Sequence, residues 1–299
     1  MRVIERDWLN SNNILFLEGK TATLIDSGYM AHADETVARV RGALEERVLT
    51  RLINTHSHSD HIGGNAALKR AFDCRVTIPA AMEEAVVQWD EAALLLTSSE
   101  QRAERFEHDD VVTPADVLEL GGMAWRAIAA PGHDATALVF HCPESRILIS
   151  GDALWRTGFG VIFPALLGDA QGFAATRETL DTIGRLAVDI VIPGHGAPFA
   201  EFDDAMRQAY ARLDAFERDG DRLARHAVRV IFTFALLERR EMPVAEVVGY
   251  LDRVPLMREV NRLYFNQTPD ALADWLLRDL ARSGAIRIDD GVVRGDVAP

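Results

Sequence analysis

The sequence predicts an α/β protein with a chemical site at its strand ends and a helical last third. Three observations predict it. Short apolar runs alternate with amphipathic stretches from residue 13 to 192, the pattern of sheets covered by helices. Several of those runs end in a histidine or aspartate next to glycine, and loops at strand ends are where α/β proteins build sites. Beyond residue 203 the text turns helical and closes on a hairpin signal.

Taken in order, Asn13-Ile14-Leu15-Phe16-Leu17 and Thr21-Ala22-Thr23-Leu24-Ile25-Asp26 flank Gly19, which reads as a hairpin. Val37, Val40, Ala43 and Leu44 put a helix over 32–47. Residues 49–54 form a strand that empties into a polar cluster at 55–61. Strand runs follow at 76–78, 125–128, 137–140, 147–149 and 189–192, with a helical stretch at 80–106. Helical text then covers 203–218, 221–240, 244–264 and 269–283, punctuated by Pro243, Pro255 and Pro269. Thr268 before Pro269 is a suitable N-cap and helix start. Two short runs around Asp290-Gly291 make a closing hairpin, and helices ending in a hairpin resemble a winged helix. The expected division is a catalytic unit over 1–203 and a helical, winged-helix-like unit over 204–299.

Composition narrows the function classes. Of 299 residues, 48% are hydrophobic and 26% charged, a globular balance that excludes a disordered chain. No apolar run approaches the ~18–20 residues of a membrane span. The start, Met1-Arg2-Val3-Ile4-Glu5-Arg6-Asp7, interrupts its apolar residues with charge, unlike a secretory leader. Cys74 and Cys142 are too few for a disulfide scaffold. A cytoplasmic protein is expected. Acidic residues number 46 against 32 basic, a net charge of −14. Residues 205–299 are neutral, so the deficit falls wholly on 1–204. Such a body does not steer toward phosphate backbones, which argues against a nucleic-acid partner, and it suits multivalent cations.

The strongest signal is Thr55-His56-Ser57-His58-Ser59-Asp60-His61-Ile62-Gly63-Gly64. Four candidate metal ligands in six residues are far denser than a core tolerates. Alternation sets His56 and His58 on one side of an extended loop, within reach of one ion. Asp60 and His61 come after the chain turns and face a second position. Nitrogen with one hard oxygen suits zinc, and also iron or manganese. Pro131-Gly132-His133, Ser150-Gly151-Asp152 and Pro193-Gly194-His195-Gly196 each follow an apolar run and add a ligand.

With these residues in view, the chain resembles the metallo-β-lactamase superfamily over about residues 10–200, nearer its glyoxalase II-like hydrolases than the β-lactamases. The resemblance implies an αββα sandwich and two divalent metal ions. His56, His58 and His133 would hold one ion; Asp60, His61 and His195 would hold the other, with Asp152 bridging. Asp60 would also orient the hydroxide, a catalytic role. Asp26 matches a family aspartate beside the metals. An aspartate at 152, where β-lactamases usually carry cysteine, disfavours lactamase activity. Asp134 departs from the small hydroxyl residue that often follows the Pro-Gly-His turn.

Plainer readings stand beside these. The cluster at 55–61 could be a polar surface loop, and His32, His108, His141 and His226 read as ordinary surface or packed histidines. Cys74 and Cys142 read as small core residues. The apolar residues of 82–106 form either a substrate-side lid or a helix packed on the sandwich. Trp155, Phe159, Val161, Ile162 and Phe163 could wall a pocket; Phe232, Phe234, Leu236 and Leu237 could pack the helices or close that pocket. The expected activity is a metal-dependent hydrolase of a small thioester, ester or lactone. The alternatives are a phosphodiesterase or nuclease, for which a basic stripe is missing, and a non-catalytic regulatory member of the fold. A homodimer through the C-terminal helices stays open.

Overall fold

The computed structural model describes residues 1–295; positions 296–299 of the expected second unit lie outside the described residues. Six strands form the first sheet in sequence order: β1 (Arg2–Ile4), β2 (Asn13–Glu18), β3 (Thr21–Ile25), β4 (Val48–Ile53), β5 (Arg75–Pro79) and β6 (Asp110–Val112). The hairpin of β2 and β3 closes with Glu18 opposite Thr21, and β3 through β6 run parallel. The second sheet contains β7 (Val117–Leu120), β8 (Met123–Ala129), β9 (Leu138–Cys142), β10 (Ile147–Gly151) and β11 (Ile190–Pro193), with β10 and β11 parallel.

Side-chain alternation along these strands explains the layering. Ile14, Phe16, Ile25 and Ile53 point inward and meet Trp125, Phe140, Ile149 and Ile192 between the two sheets. Their neighbours Leu15, Leu24 and Leu52 point outward. They pack under α1 (Ala33–Ala43), α3 (Asn65–Phe72) and α4 (Glu83–Gln88), while α2 (Ser59–Ile62) is a single turn in the cluster loop. On the other side, Val139, Leu148 and Val191 pack under α7 (Gln171–Ile183), which follows α6 (Phe163–Leu166). The result is the expected αββα sandwich. Trp125 and Phe16 are fully buried edge to face at 5.2 Å, each contributing on the order of 1.5–3 kcal/mol by burial.

The stretch expected as one helix over 80–106 is broken. It holds α4 and α5 (Leu96–Ser99) separated by a turn. Trp89, Leu95 and Glu100 take left-handed backbone, and the Asp90 carboxylate accepts from the amides of Ala92 and Ala93. Local side-chain hydrogen bonding of this kind competes with helix continuation.

After residue 201 come α8 (Phe202–Arg218), α9 (Gly220–Arg239), β12 (Glu241–Pro243), α10 (Val244–Arg253), α11 (Pro255–Val260) and α12 (Pro269–Ser283). Pro255 splits the stretch expected over 244–264, since it has no amide proton to continue the ladder. Thr268 caps α12 by accepting from the Ala271 amide. The closing hairpin, β13 (Ile286–Asp289) and β14 (Val292–Gly295), gains a third strand, giving the order β12-β14-β13. This strand order beside α9, α10 and α12 has the layout of a winged helix. Its core is continuous with the outer face of the second sheet.

Candidate metal centre

Every candidate ligand leaves the carboxyl end of a strand. β4 delivers His56 and His58 and, through α2, Asp60 and His61; β8 delivers His133, β10 Asp152 and β11 His195. The cluster loop is pinned by side-chain amides rather than by sheet. Asn54 donates to the His61 carbonyl (3.0 Å), and Asn65 donates back to Asn54 (2.7 Å). Where β11 ends, Gly194 approaches Asp152 so closely that a Cβ would lie 2.2 Å from Asp152 Oδ1. Only glycine fits there.

The side chains gather in two groups, His56–His58–His133 and Asp60–His61–Asp152–His195, each with candidate ligand atoms within 4.8 Å of one another. In the first, His58 Nδ1 lies 2.7 Å from His133 Nε2. In the second, His195 Nε2 lies 2.9 Å from Asp60 Oδ2. Asp152 faces both: its oxygens lie 3.4 Å from His133 Nε2 and 3.5 Å from His61 Nε2. All seven residues are buried.

Three of the rings, His56, His61 and His133, are held from behind through Nδ1. Asp26 Oδ2 accepts from His61 Nδ1 and from the Thr55 hydroxyl, both at 2.8 Å, and Oδ1 accepts from the Thr55 amide at 2.8 Å. His133 Nδ1 donates to the Val161 carbonyl at 2.6 Å. Such contacts fix the tautomer so that the opposite nitrogen keeps its lone pair. Asp134 has a place in this frame. It accepts from the Ser57 hydroxyl (2.6 Å) and from Thr136, and it sits 3.8 Å from His58 Nε2. The sequence marked it as a departure without a role; the signal was a carboxylate directly after a candidate ligand.

The residues fit metal ions on chemical grounds. His56 Nε2 and His61 Nε2 are buried with no hydrogen-bond partner, an arrangement costly unless something else binds them. Burial, and then the neighbouring His61 and His58, hold His56 well below the ordinary histidine range. Burial and His133 push His58 down to about 4. Burial opposes protonation of His61 as well, but Asp26, Asp60 and Asp152 outweigh it and raise that ring. His56 and His58 held neutral, with buried carboxylates that draw positive charge toward His61 and His195, make a donor set for two divalent cations.

Beside the centre lies a cavity of about 460 Å³. Trp8 stacks on His195 at 5.3 Å with planes 7° apart, and Trp155 meets the same ring edge-on at 5.5 Å. Of the residues expected to wall a pocket, Trp155, Val161 and Phe163 do, whereas Phe159 and Ile162 are core. Phe234 and Leu237 of α9 line it, while Phe232 and Leu236 pack inside. Leu95, Ser99 and Gln101 bring the broken 80–106 segment to its wall. Trp8 and His226 also line it and were not foreseen; neither lies in a motif.

A family model described as the metallo-beta-lactamase superfamily matches residues 6–195. A hydroxyacylglutathione hydrolase of Rhodopseudomonas palustris (strain BisB18) is 33% identical over 141 residues, 46% of this chain and 48% of that protein. One from Mesorhizobium japonicum is 31% identical over 114 residues, 38% of this chain and 37% of that protein. The match therefore spans about half the length of these curated relatives, or less. Among solved structures, a metallo-beta-lactamase family protein from Thermus thermophilus aligns over 98% of this chain and 97% of its own, with TM-score 0.57 and 18% identity. The FEZ-1 metallo-beta-lactamase of Legionella gormanii aligns over 73% of this chain and 93% of its own, with TM-score 0.58 and 15% identity. These likenesses carry the fold. With the model spanning the sandwich and every candidate ligand, the chain belongs to the metallo-beta-lactamase superfamily.

Proposed function

We propose that this chain is a dinuclear metal-dependent hydrolase of small acyl compounds, thioesters first and esters or lactones next. The observation that carries the reading is Asp152, whose two oxygens face both histidine groups at the mouth of an apolar cavity. His56, His58 and His133 would hold one ion, Asp60, His61 and His195 the other, and Asp152 both; zinc suits this donor set best. Such a pair supplies Lewis acidity that makes water nucleophilic at neutral pH and polarises a carbonyl. Asp60, 2.9 Å from His195, accepts a hydrogen bond from the attacking water and aims it. Trp155, Val161 and Phe163 exclude bulk water and hold the acyl arm. The water oxygen joins the acyl carbon, the carbon–sulfur bond breaks, and the thiol departs with a proton.

We propose further that residues 1–203 carry the chemistry, while 204–299 supply the wall that selects the substrate. The hydroxyacylglutathione hydrolases that match part of this chain support the thioester class. No helix among the described residues is long and apolar enough to cross a membrane. The test is a panel of an acyl-CoA, an aryl ester, a lactone and a phosphodiester, run on metal-loaded protein with a His58→Ala control. Thioester or ester turnover that the control abolishes is the expected result. Phosphodiester cleavage alone, or turnover retained in the control, would overturn the reading.

A further inference from the structure

A second cavity, about 630 Å³, lies among the C-terminal helices. Its lining follows from helical spacing. Arg222, Arg225 and Arg229 recur at i, i+3 and i+7 on one face of α9. Arg282 of α12 and Arg212 of α8 complete the ring. Five guanidinium groups thus face one space with a single carboxylate, Asp279, which accepts from Arg229 at 2.9 Å and from Arg282. Among the described residues Arg225 pairs only with Asp221, at 3.8 Å. Among the described residues neither Arg212 nor Arg222 has an ion-pair partner. This occurs in a chain of net charge −14, where carboxylates are plentiful.

Arg212 is the most deeply set. Its guanidinium lies against Gly158, where a Cβ would come within 2.7 Å of Cζ, and that glycine has a φ of +125°. The backbone is shaped around the cation. Among the described residues its side chain donates one long hydrogen bond, to the Phe159 carbonyl at 3.5 Å. Arg222, Arg225 and Arg282 stay exposed while Arg212 and Arg229 are half-buried. Like charges gathered on one face repel, an anion bound among them relieves that repulsion, and arginine's planar fork matches phosphate oxygens in pairs. Arg212, His226 and Arg229 line this cavity and the cavity at the metal centre alike. Phe216 and Trp275 add aromatic walls.

We propose that the arginine-lined cavity holds a phosphate-bearing arm of the substrate, so that the substrates are acyl thioesters or esters of a phosphorylated thiol or alcohol. This deepens the hydrolase reading and rests on it. One molecule would place its acyl carbon at the metal centre and its phosphate among Arg212, Arg222 and Arg225.

Two measurements on the metal-loaded full chain test it. The first compares kcat/KM for an acyl-CoA, the matching acyl-4′-phosphopantetheine and the neutral acyl-N-acetylcysteamine thioester. A preference of about 100-fold for the phosphorylated forms is expected, carried mainly by KM, and should fall roughly 10-fold or more in Arg222→Ala/Arg225→Ala. Equal use of the two phosphorylated forms would assign the cavity to the phosphate next to the pantetheine; a preference for acyl-CoA would assign it to the nucleotide phosphates. The second titrates adenosine 3′,5′-bisphosphate by calorimetry, expecting binding that the double variant weakens at least 10-fold.

Equal turnover of the neutral thioester, with no bisphosphate binding, would overturn the cavity assignment and leave the hydrolase reading intact. Bisphosphate binding without turnover of any acyl substrate would overturn the hydrolase reading and leave an anion site. Cleavage of an oligonucleotide with the same arginine dependence would overturn the acyl class.

Discussion

Replacing Asp26 by asparagine isolates one half of the metal centre. Asp26 has left-handed backbone, φ 58°, a conformation that asparagine tolerates, so the turn should survive. The carboxylate accepts three hydrogen bonds: from the Thr55 amide, the Thr55 hydroxyl and His61 Nδ1. Asparagine has one accepting oxygen. If that oxygen keeps the Thr55 amide, the new amine faces His61 Nδ1, and the ring must move its proton to Nε2. That is the atom directed at Asp60 and Asp152, at 3.6 and 3.5 Å. A metal would then have to displace a proton. Losing such a supporting carboxylate costs ~10–100-fold in affinity, or about 1.4–2.7 kcal/mol. The His56–His58–His133 group meets Asp26 only at one remove, through the Thr55 hydroxyl 3.0 Å from His56 Nδ1, and should keep most of its affinity. The assay is a zinc titration of stripped protein against a competing chelator of known affinity. Wild type should show two sites, and the variant one nearly unchanged and one weakened. Two unchanged sites, or equal weakening of both, would show that Asp26 does not support His61 in particular.

Further outcomes follow from the same geometry. Asp152→Ala should lose most bound metal, because that carboxylate faces both groups; two ions per chain retained by elemental analysis would remove its bridging role. Gly194→Ala sets a Cβ 2.2 Å from Asp152 Oδ1, so metal content should fall and stability drop by ~1–3 kcal/mol, read by thermal melting. Burial, then Arg212 and Arg229, push His226 down to about 4, against ~6.5 in an unfolded chain. The unfolded chain then binds the extra proton, so this contribution is intact above pH ~6.5 and lost as pH falls toward ~4. The loss is at most about 3 kcal/mol, and His226→Asn should flatten the acid limb of a denaturation series by that amount or less. An unchanged limb would show that His226 titrates normally.

What the sequence made legible was local. The ligands at 55–61 lie within a few residues of one another, and His133, Asp152 and His195 each follow an apolar run into a turn. Chain order therefore carries the constellation, and Asp26 sits at a strand end in the same way. The break at 89–95 was hidden because it depends on Asp90 capping a turn amid residues with helical spacing. β12 was hidden because three residues with a proline carry no period; it exists through pairing with β14. The arginine cavity was invisible for a different reason. Arg222, Arg225 and Arg229 read as a solvated helix face until α8 and α12 bring Arg212 and Arg282 opposite them. Trp8 stacks on His195 from the segment between β1 and β2, a contact that chain order does not carry.

If two metal ions held by these seven residues carry acyl hydrolysis, bound metal and thioester turnover, measured on the same samples, rise together as stripped protein is titrated with zinc, iron or manganese. Turnover should reach its plateau at two ions per chain. A plateau at fewer than two ions, or full occupancy with no hydrolysis under any of the three metals, would contradict a two-ion acyl hydrolase.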